Sequence, residues 1–301
     1  MNPLPSAFSR VTIAGSGLIG GSWALALKQR GFAGQIVICD LPRVAARAIA
    51  RKAVDEYEPD LSTAVRGADL VILATPVGPI LAELPAVAAA AAEHALVTDT
   101  GSTKRAILER AKDLFREGKL FLGGHPLAGK EQSGIEYADP DLFEGTRYAL
   151  IPMRDPDLED ERVKAFQHLL RGVGADPVVI GAEEHDRALA FLSHFPQLLS
   201  TALAALVDDT NPQLPLELAA GGFRDMTRLA GSPYSVWHDV WLTNRDNMEA
   251  AVNAFVSRLQ TMKAHLDDGR LDADFEQARR VRDRWRKLSG VLRSESGDES
   301  E

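Results

Sequence analysis

Six short runs of β-branched and aliphatic residues, RVTIAG, QIVICD, DLVILA, ALVTDT, LFLGG and RYALIP, punctuate the first part of this 301-residue chain. Each is almost continuously apolar and bounded by turn formers, the pattern of a strand buried on both faces. Between them lie helical patterns such as SWALALKQRG, RVAARAIARKA and TKRAILERAKDLFREG. Strands alternating with helices predict an α/β fold with a doubly wound parallel sheet. A further unit, DERVKAFQHLLRGVG followed by DPVVIG, extends or closes it.

After Gly181 the pattern changes to long helical stretches, EEHDRALAFLSHFPQLLSTALAALVDD, NRDNMEAAVNAFVSRLQTMKAHLDDG and FEQARRVRDRWRKLSGVL, with no strand signal. The expected organisation is a dinucleotide-binding domain over 1–181 and an all-helical substrate and dimerisation domain over 182–293. The acidic tail SESGDESE, 294–301, is expected to be disordered. Long apolar-striped helices on a small domain call for a second copy, so a homodimer is expected.

The first strand runs into GSGLIGGS, giving Gly15-x-Gly17-x-x-Gly20 between a strand and a helix. That is the fingerprint of a Rossmann-type nucleotide site: a tight turn, a close approach for a pyrophosphate, and close helix packing. Gly15, Gly17, Leu18, Ile19 and Gly20 are therefore candidate cofactor contacts. The second strand ends in Asp40, whose carboxylate suits ribose hydroxyls and repels a 2′-phosphate. NAD is favoured over NADP, with Arg43 the residue that argues the other way.

A formal net charge of −9 argues against nucleic acid or an anionic membrane as main partner. Cys39, the single cysteine, excludes an intramolecular disulfide. The start MNPLPSAFSR lacks a signal-peptide pattern, and the apolar run near AELPAVAAAAAEHALV is interrupted by Glu83, Pro85 and Glu93. The expectation is a soluble, cytoplasmic protein with no resident metal.

Ligands of open parallel sheets bind beyond the carboxyl ends of the strands. Thr75-Pro76, Thr100-Gly101-Ser102 and His125-Pro126 fall at those ends. In GGHPLAGKEQSG the flanking glycines and prolines predict that His125 lies in a turn. An imidazole there either caps the loop or serves as a base beside a hydride acceptor, with Ser102 within reach of it or of a substrate hydroxyl. In the helical half, Asp186, Ser193 and Gln197 are spaced to share one helix face, and Pro196 should kink that helix. Arg224 and Arg228 suit a carboxylate or a solvated surface, and Trp237 and Trp241 suit a core or a binding wall.

Taken in order, GSGLIGGS, DTGSTK, GGHPLAGKEQSG, HDRALAFLSHFP and GGFRDMTR make the chain resemble the prephenate/arogenate dehydrogenases of tyrosine biosynthesis, from about Arg10 to about Leu266. The resemblance implies NAD-dependent oxidative decarboxylation of a cyclohexadienol. His125 would accept the ring hydroxyl proton, Ser102 would bond that hydroxyl and His125, and Arg228 would clamp the ring carboxylate with Trp237 nearby. Ser193 would support the substrate and Glu131 would control the mouth of the site. The helical domain would form an intertwined dimer. Many members read SHxPH where this chain reads SHFPQ. Gln197 can accept from an ammonium, which a protonated imidazole cannot, so arogenate or dual use is expected. The rivals are another NAD(P)-dependent hydroxyacid dehydrogenase of Rossmann-plus-helical type and a non-catalytic NAD-binding regulator.

Overall fold

The computed structural model describes residues 7–116, 118–130, 132–210 and 216–295. Its strands are β1 (Arg10–Ala14), β2 (Gln35–Cys39), β3 (Glu56–Tyr57), β4 (Leu70–Leu73), β5 (Leu96–Asp99), β6 (Leu120–Pro126), β7 (Arg147–Pro152) and β8 (Asp176–Val179). They form one sheet in the order β3-β2-β1-β4-β5-β6-β7-β8. The helices among them are α1 (Leu18–Gln29), α2 (Pro42–Ala50), α3 (Leu61–Val65), α4 (Val77–Ala90), α5 (Arg105–Leu114) and α6 (Glu161–Gly172).

Strand alternation divides the apolar runs between two cores. Ile13, Ile72 and Leu96 pack on one side with Trp23, Phe143, Tyr148 and Phe166. Ala14, Val71, Leu73 and Val97 pack on the other with Ile80, Leu84 and Phe121. Covering both faces explains why these strands read as continuous apolar runs.

The sheet is parallel except between β6 and β7, which pair antiparallel. The reason is the connection: parallel neighbours need a crossover helix, and among its described residues the segment 127–146 contains only a 3-10 turn at Ile135–Tyr137. β8, reached through α6, is again parallel to β7. This pairing also corrects the expected turn at His125. The strand continues through His125 and Pro126, opposite Ala149 and Tyr148. The glycine at 124 serves packing instead, because a Cβ there would overlap the Asp99 carbonyl oxygen.

Beyond the sheet come α7 (Ala182–Leu189), a π-helical turn (Ala190–His194), α8 (Phe195–Thr210), α9 (Gly221–Thr227) and α10 (Tyr234–Thr243). The irregularity expected at Pro196 is this π turn: proline cannot donate, and the preceding turn widens. The extra residue moves the buried stripe. Asp186, His194, Gln197 and Ser200 are buried, whereas Ser193 is half-exposed. The chain packs as two compact units, the first ending at Arg245. The second holds most of α11 (Arg245–Asp268) and α12 (Leu271–Glu295), two helices pinned to each other where Asp274 takes Arg258 at 2.8 Å and His265 at 2.6 Å. No strand occurs beyond Val179 among the described residues, and the expected tail beyond Glu295 lies outside them.

Candidate active site

Strand order reverses between β1 and β4, so the loops leaving these two strands part and open a crevice. The β1 loop is the glycine-rich turn. A Cβ on Gly20 would overlap the Gly15 carbonyl oxygen, so only glycine lets α1 start this close to its strand. Helix α1 begins at Gly17 without a side-chain cap, and nothing lies within 4 Å of a Cβ placed on Gly17. Free N–H groups, the positive helix end and open space fit a pyrophosphate. The Asp40 carboxylate accepts from Ser16 N at 2.6 Å, Ser16 Oγ at 2.8 Å and Leu41 N at 2.6 Å. It thereby braces the glycine turn from the end of β2.

A cleft of about 380 Å³ opens at this switch point, lined by Gly17, Leu18, Ile19, Thr75, Pro76, Ser102 and Trp237 among others. These residues, expected from separate stretches of sequence, are brought together. Trp237 arrives on α10, which is latched to the sheet region by Asp239 accepting from Gly78 N at 2.8 Å at the start of α4. The Trp237 ring stacks on Trp241 at 5.3 Å and meets His194 edge-on at 6.2 Å. Gly15, Gly20, Asp40, His125, Ser193, Gln197 and Arg228 do not line the cleft. Glu131 lies outside the described residues.

His125, 9% exposed at the end of β6, heads a buried chain of hydrogen bonds. Its Nδ1 lies 2.9 Å from His185 Nε2, and His185 Nδ1 lies 2.8 Å from Asp186 Oδ1. Asp186 also accepts from Lys104 N at 2.7 Å and Arg105 N at 3.0 Å. Burial opposes ionisation of this carboxylate, but the bonds from His185 and the two main-chain N–H groups outweigh it and hold its pKa below the usual range. An ionised carboxylate only accepts, so His185 Nδ1 carries the hydrogen and its Nε2 the lone pair. His125 Nδ1 must then donate, which leaves the lone pair on Nε2. Burial first, then His185, Lys104 and His194, push the His125 pKa well below 6.5, so the imidazole is held neutral. The arrangement is that of an oriented, unprotonated base.

A second network lies beneath it. The fully buried Lys104 ammonium pairs with Asp99 and donates to the Gly124 carbonyl at 2.7 Å. Asp99 also accepts from Gly101 N at 2.8 Å and Gly124 N at 3.1 Å. In the helical part, Gln197 Nε2 donates to the Leu229 carbonyl at 2.9 Å, and Ala230 N donates to Ser200 Oγ at 3.1 Å. These bonds fix the 3-10 turn Arg228–Gly231, on which Arg228 is exposed. Gln197 Oε1 is buried and has no hydrogen-bond partner. His185, His194, Lys104, Asp239 and Asn244, whose Nδ2 donates to the Asp186 carbonyl at 2.8 Å, escaped the sequence reading. The neighbouring Glu183, Glu184 and Arg187 make His185 and Asp186 look like part of a solvated turn, so nothing along the chain signals their burial.

Fold and cleft define a protein built on a dinucleotide-binding sheet. Comparison with known proteins narrows the class. The model of the prephenate dehydrogenase nucleotide-binding domain matches residues 23–179, and that of the prephenate dehydrogenase dimerization domain matches 181–279. The prephenate dehydrogenase of Bacillus subtilis is 34% identical over 85% of this chain and 70% of its own length. The crystal structure of Aquifex aeolicus prephenate dehydrogenase with hydroxyphenyl propionate and NAD+ superposes with a TM-score of 0.83 at 29% identity, covering 93% of this chain and 98% of that one. Synechocystis arogenate dehydrogenase superposes with a TM-score of 0.77 at 27% identity over 92% and 99%. The chain belongs to the prephenate dehydrogenase family.

Proposed function

We propose that the protein oxidises the ring hydroxyl of a cyclohexadienol, prephenate or arogenate, with loss of the ring carboxylate as CO2. The observation that carries this reading is the chain Asp186–His185–His125, which leaves a lone pair on His125 Nε2. Gly17, Leu18, Ile19, Thr75 and Pro76 would hold NAD+, which would supply the hydride acceptor. His125 takes the hydroxyl proton as the C4–H bond breaks. The charge gained there is offset by Asp186 through His185, so no bare cation is left in a buried site. Ser102 bonds the same hydroxyl from the cleft wall. The C1–carboxylate bond breaks, and its electron pair completes the aromatic ring. Arg228 is the cation for that carboxylate, with Trp237 as the apolar wall; Ser193 and Glu131 keep the supporting roles that the resemblance gives them.

Gln197 bears on the side chain. Gln197 Oε1 lies off the cleft lining but is an acceptor without a partner, and a neutral amide accepts from the ammonium of arogenate where a protonated imidazole cannot. We therefore assign arogenate as the preferred substrate, with prephenate used as well. The exposed apolar residues Phe191, Leu192, Leu198 and Leu206 along the π turn and α8 form a face that a second copy would cover, giving a homodimer. The test is a steady-state assay of purified protein with NAD+, following NADH with each substrate separately. Turnover favouring arogenate supports the whole reading. Preference for prephenate overturns the Gln197 assignment alone, and turnover of neither overturns the reaction.

A further inference from the structure

Lys104 is fully buried, and the chemistry above does not use it. Burying a lysine is unfavourable unless its donors are engaged and the charge is paired. Here the ammonium meets the Asp99 carboxylate and the Gly124 carbonyl, the latter one residue before His125. Its main-chain N–H meets Asp186, the far end of the histidine chain. Asp99 in turn holds Gly101 N, one residue before Ser102. The two residues assigned to the substrate hydroxyl, Ser102 and His125, thus hang from one closed network.

We propose that Lys104 is a positioning residue for His125: its ammonium locks the end of β5 to the end of β6, and its main-chain N–H anchors the carboxylate behind the histidine pair. The proposal rests on His125 being the base. The ammonium meets a carboxylate and a carbonyl with two of its three hydrogens, and a shift of either strand end would leave these buried polar groups unpaired. Catalytic geometry tolerates only small displacements, so such a brace acts on kcat more than on cofactor binding. The ammonium also opposes protonation of His125. The groups that face that imidazole are His185, His194 and Lys104, with Asp186 behind His185 and Asp99 paired to Lys104. Removing the cation makes His125 easier to protonate.

The test compares wild type with Lys104→Met/Asp99→Asn, which removes both charges and so leaves no lone buried ion, and with Lys104→Arg, which keeps the cation. The primary readout is the NMR titration of the His125 imidazole, assigned by its loss in His125→Asn. In Lys104→Gln, which removes the cation and keeps Asp99, it should move up by about half a pH unit or more, and the acid limb of kcat/KM should follow; the double variant, which removes an anion as well, should move it less. kcat should fall about tenfold while KM for NAD+ stays within about twofold. Lys104→Arg should recover the wild-type titration. If one of these two variants unfolds, the other carries the kcat readout. A folded neutral variant with unchanged His125 titration and kcat would overturn the proposal. The titration needs no substrate, so an inactive wild type would overturn the reaction while leaving the result for Lys104 readable.

Discussion

Position and tautomer orient the His125 imidazole, and both depend on residues far away in sequence. His125→Asn should lower kcat by about 10²–10⁴ while leaving NAD+ affinity, measured by fluorescence titration, unchanged. Asp186→Asn should lower kcat as well, because an amide no longer dictates which nitrogen of His185 carries the hydrogen. The buried imidazoles also set the acid stability of the fold. Burial pushes His194 from 6.5 down to about 4, with Asp186 opposing and His185 reinforcing the shift. A depressed folded pKa means that the unfolded chain binds the extra proton first. Stability present above pH 6.5 is therefore lost as the pH falls towards 4, by about 2 kcal/mol between pH 7 and pH 5 from this group. Urea unfolding at the two pH values checks it, and His194→Gln should remove that share of the loss. At this scale the sequence showed His125 and Ser102, since strand ends mark them. It hid Lys104 and His185, whose importance comes from partners 20 and 60 residues away.

The elements that carry the site are held by close approaches between them. Gly124→Ala would force β6 from β5 against the Asp99 carbonyl, and overpacking of this kind costs about 1–3 kcal/mol, readable in the denaturation midpoint. Helix α10 depends on the Asp239–Gly78 bond to bring Trp237 to the cleft. Asp239→Asn removes a charge-assisted bond at a helix N-terminus and should raise KM for NAD+ about tenfold, measured by initial rates. The strands and most helices were legible because their periods survive in one dimension. The antiparallel β7, the two-residue β3 and the π turn were not, because loop closure and sheet-edge pairing decide them.

At the scale of the whole molecule, the longest apolar run also carries buried polar groups. The run Ala182–Asp209 is long and apolar enough to cross a bilayer by length and hydropathy. It nevertheless buries His185, Asp186, His194, Gln197 and Ser200 in the folded unit. Sedimentation velocity at micromolar concentration should give a dimer. Leu192→Asp with Leu198→Asp should shift it towards monomer, because buried like charges on a self-complementary face repel.

The alternation that makes the sheet, the glycine turn ahead of α1 and the ordered motifs of the family are all readable along the chain. Each of these is local: a period, a turn, a run of neighbours. Only folding sets His185 between Asp186 and His125, and Lys104 between the ends of two strands. The physical reason is that the proton positions in a buried network are fixed by mutual satisfaction of donors and acceptors, which exist as neighbours only after the chain has folded.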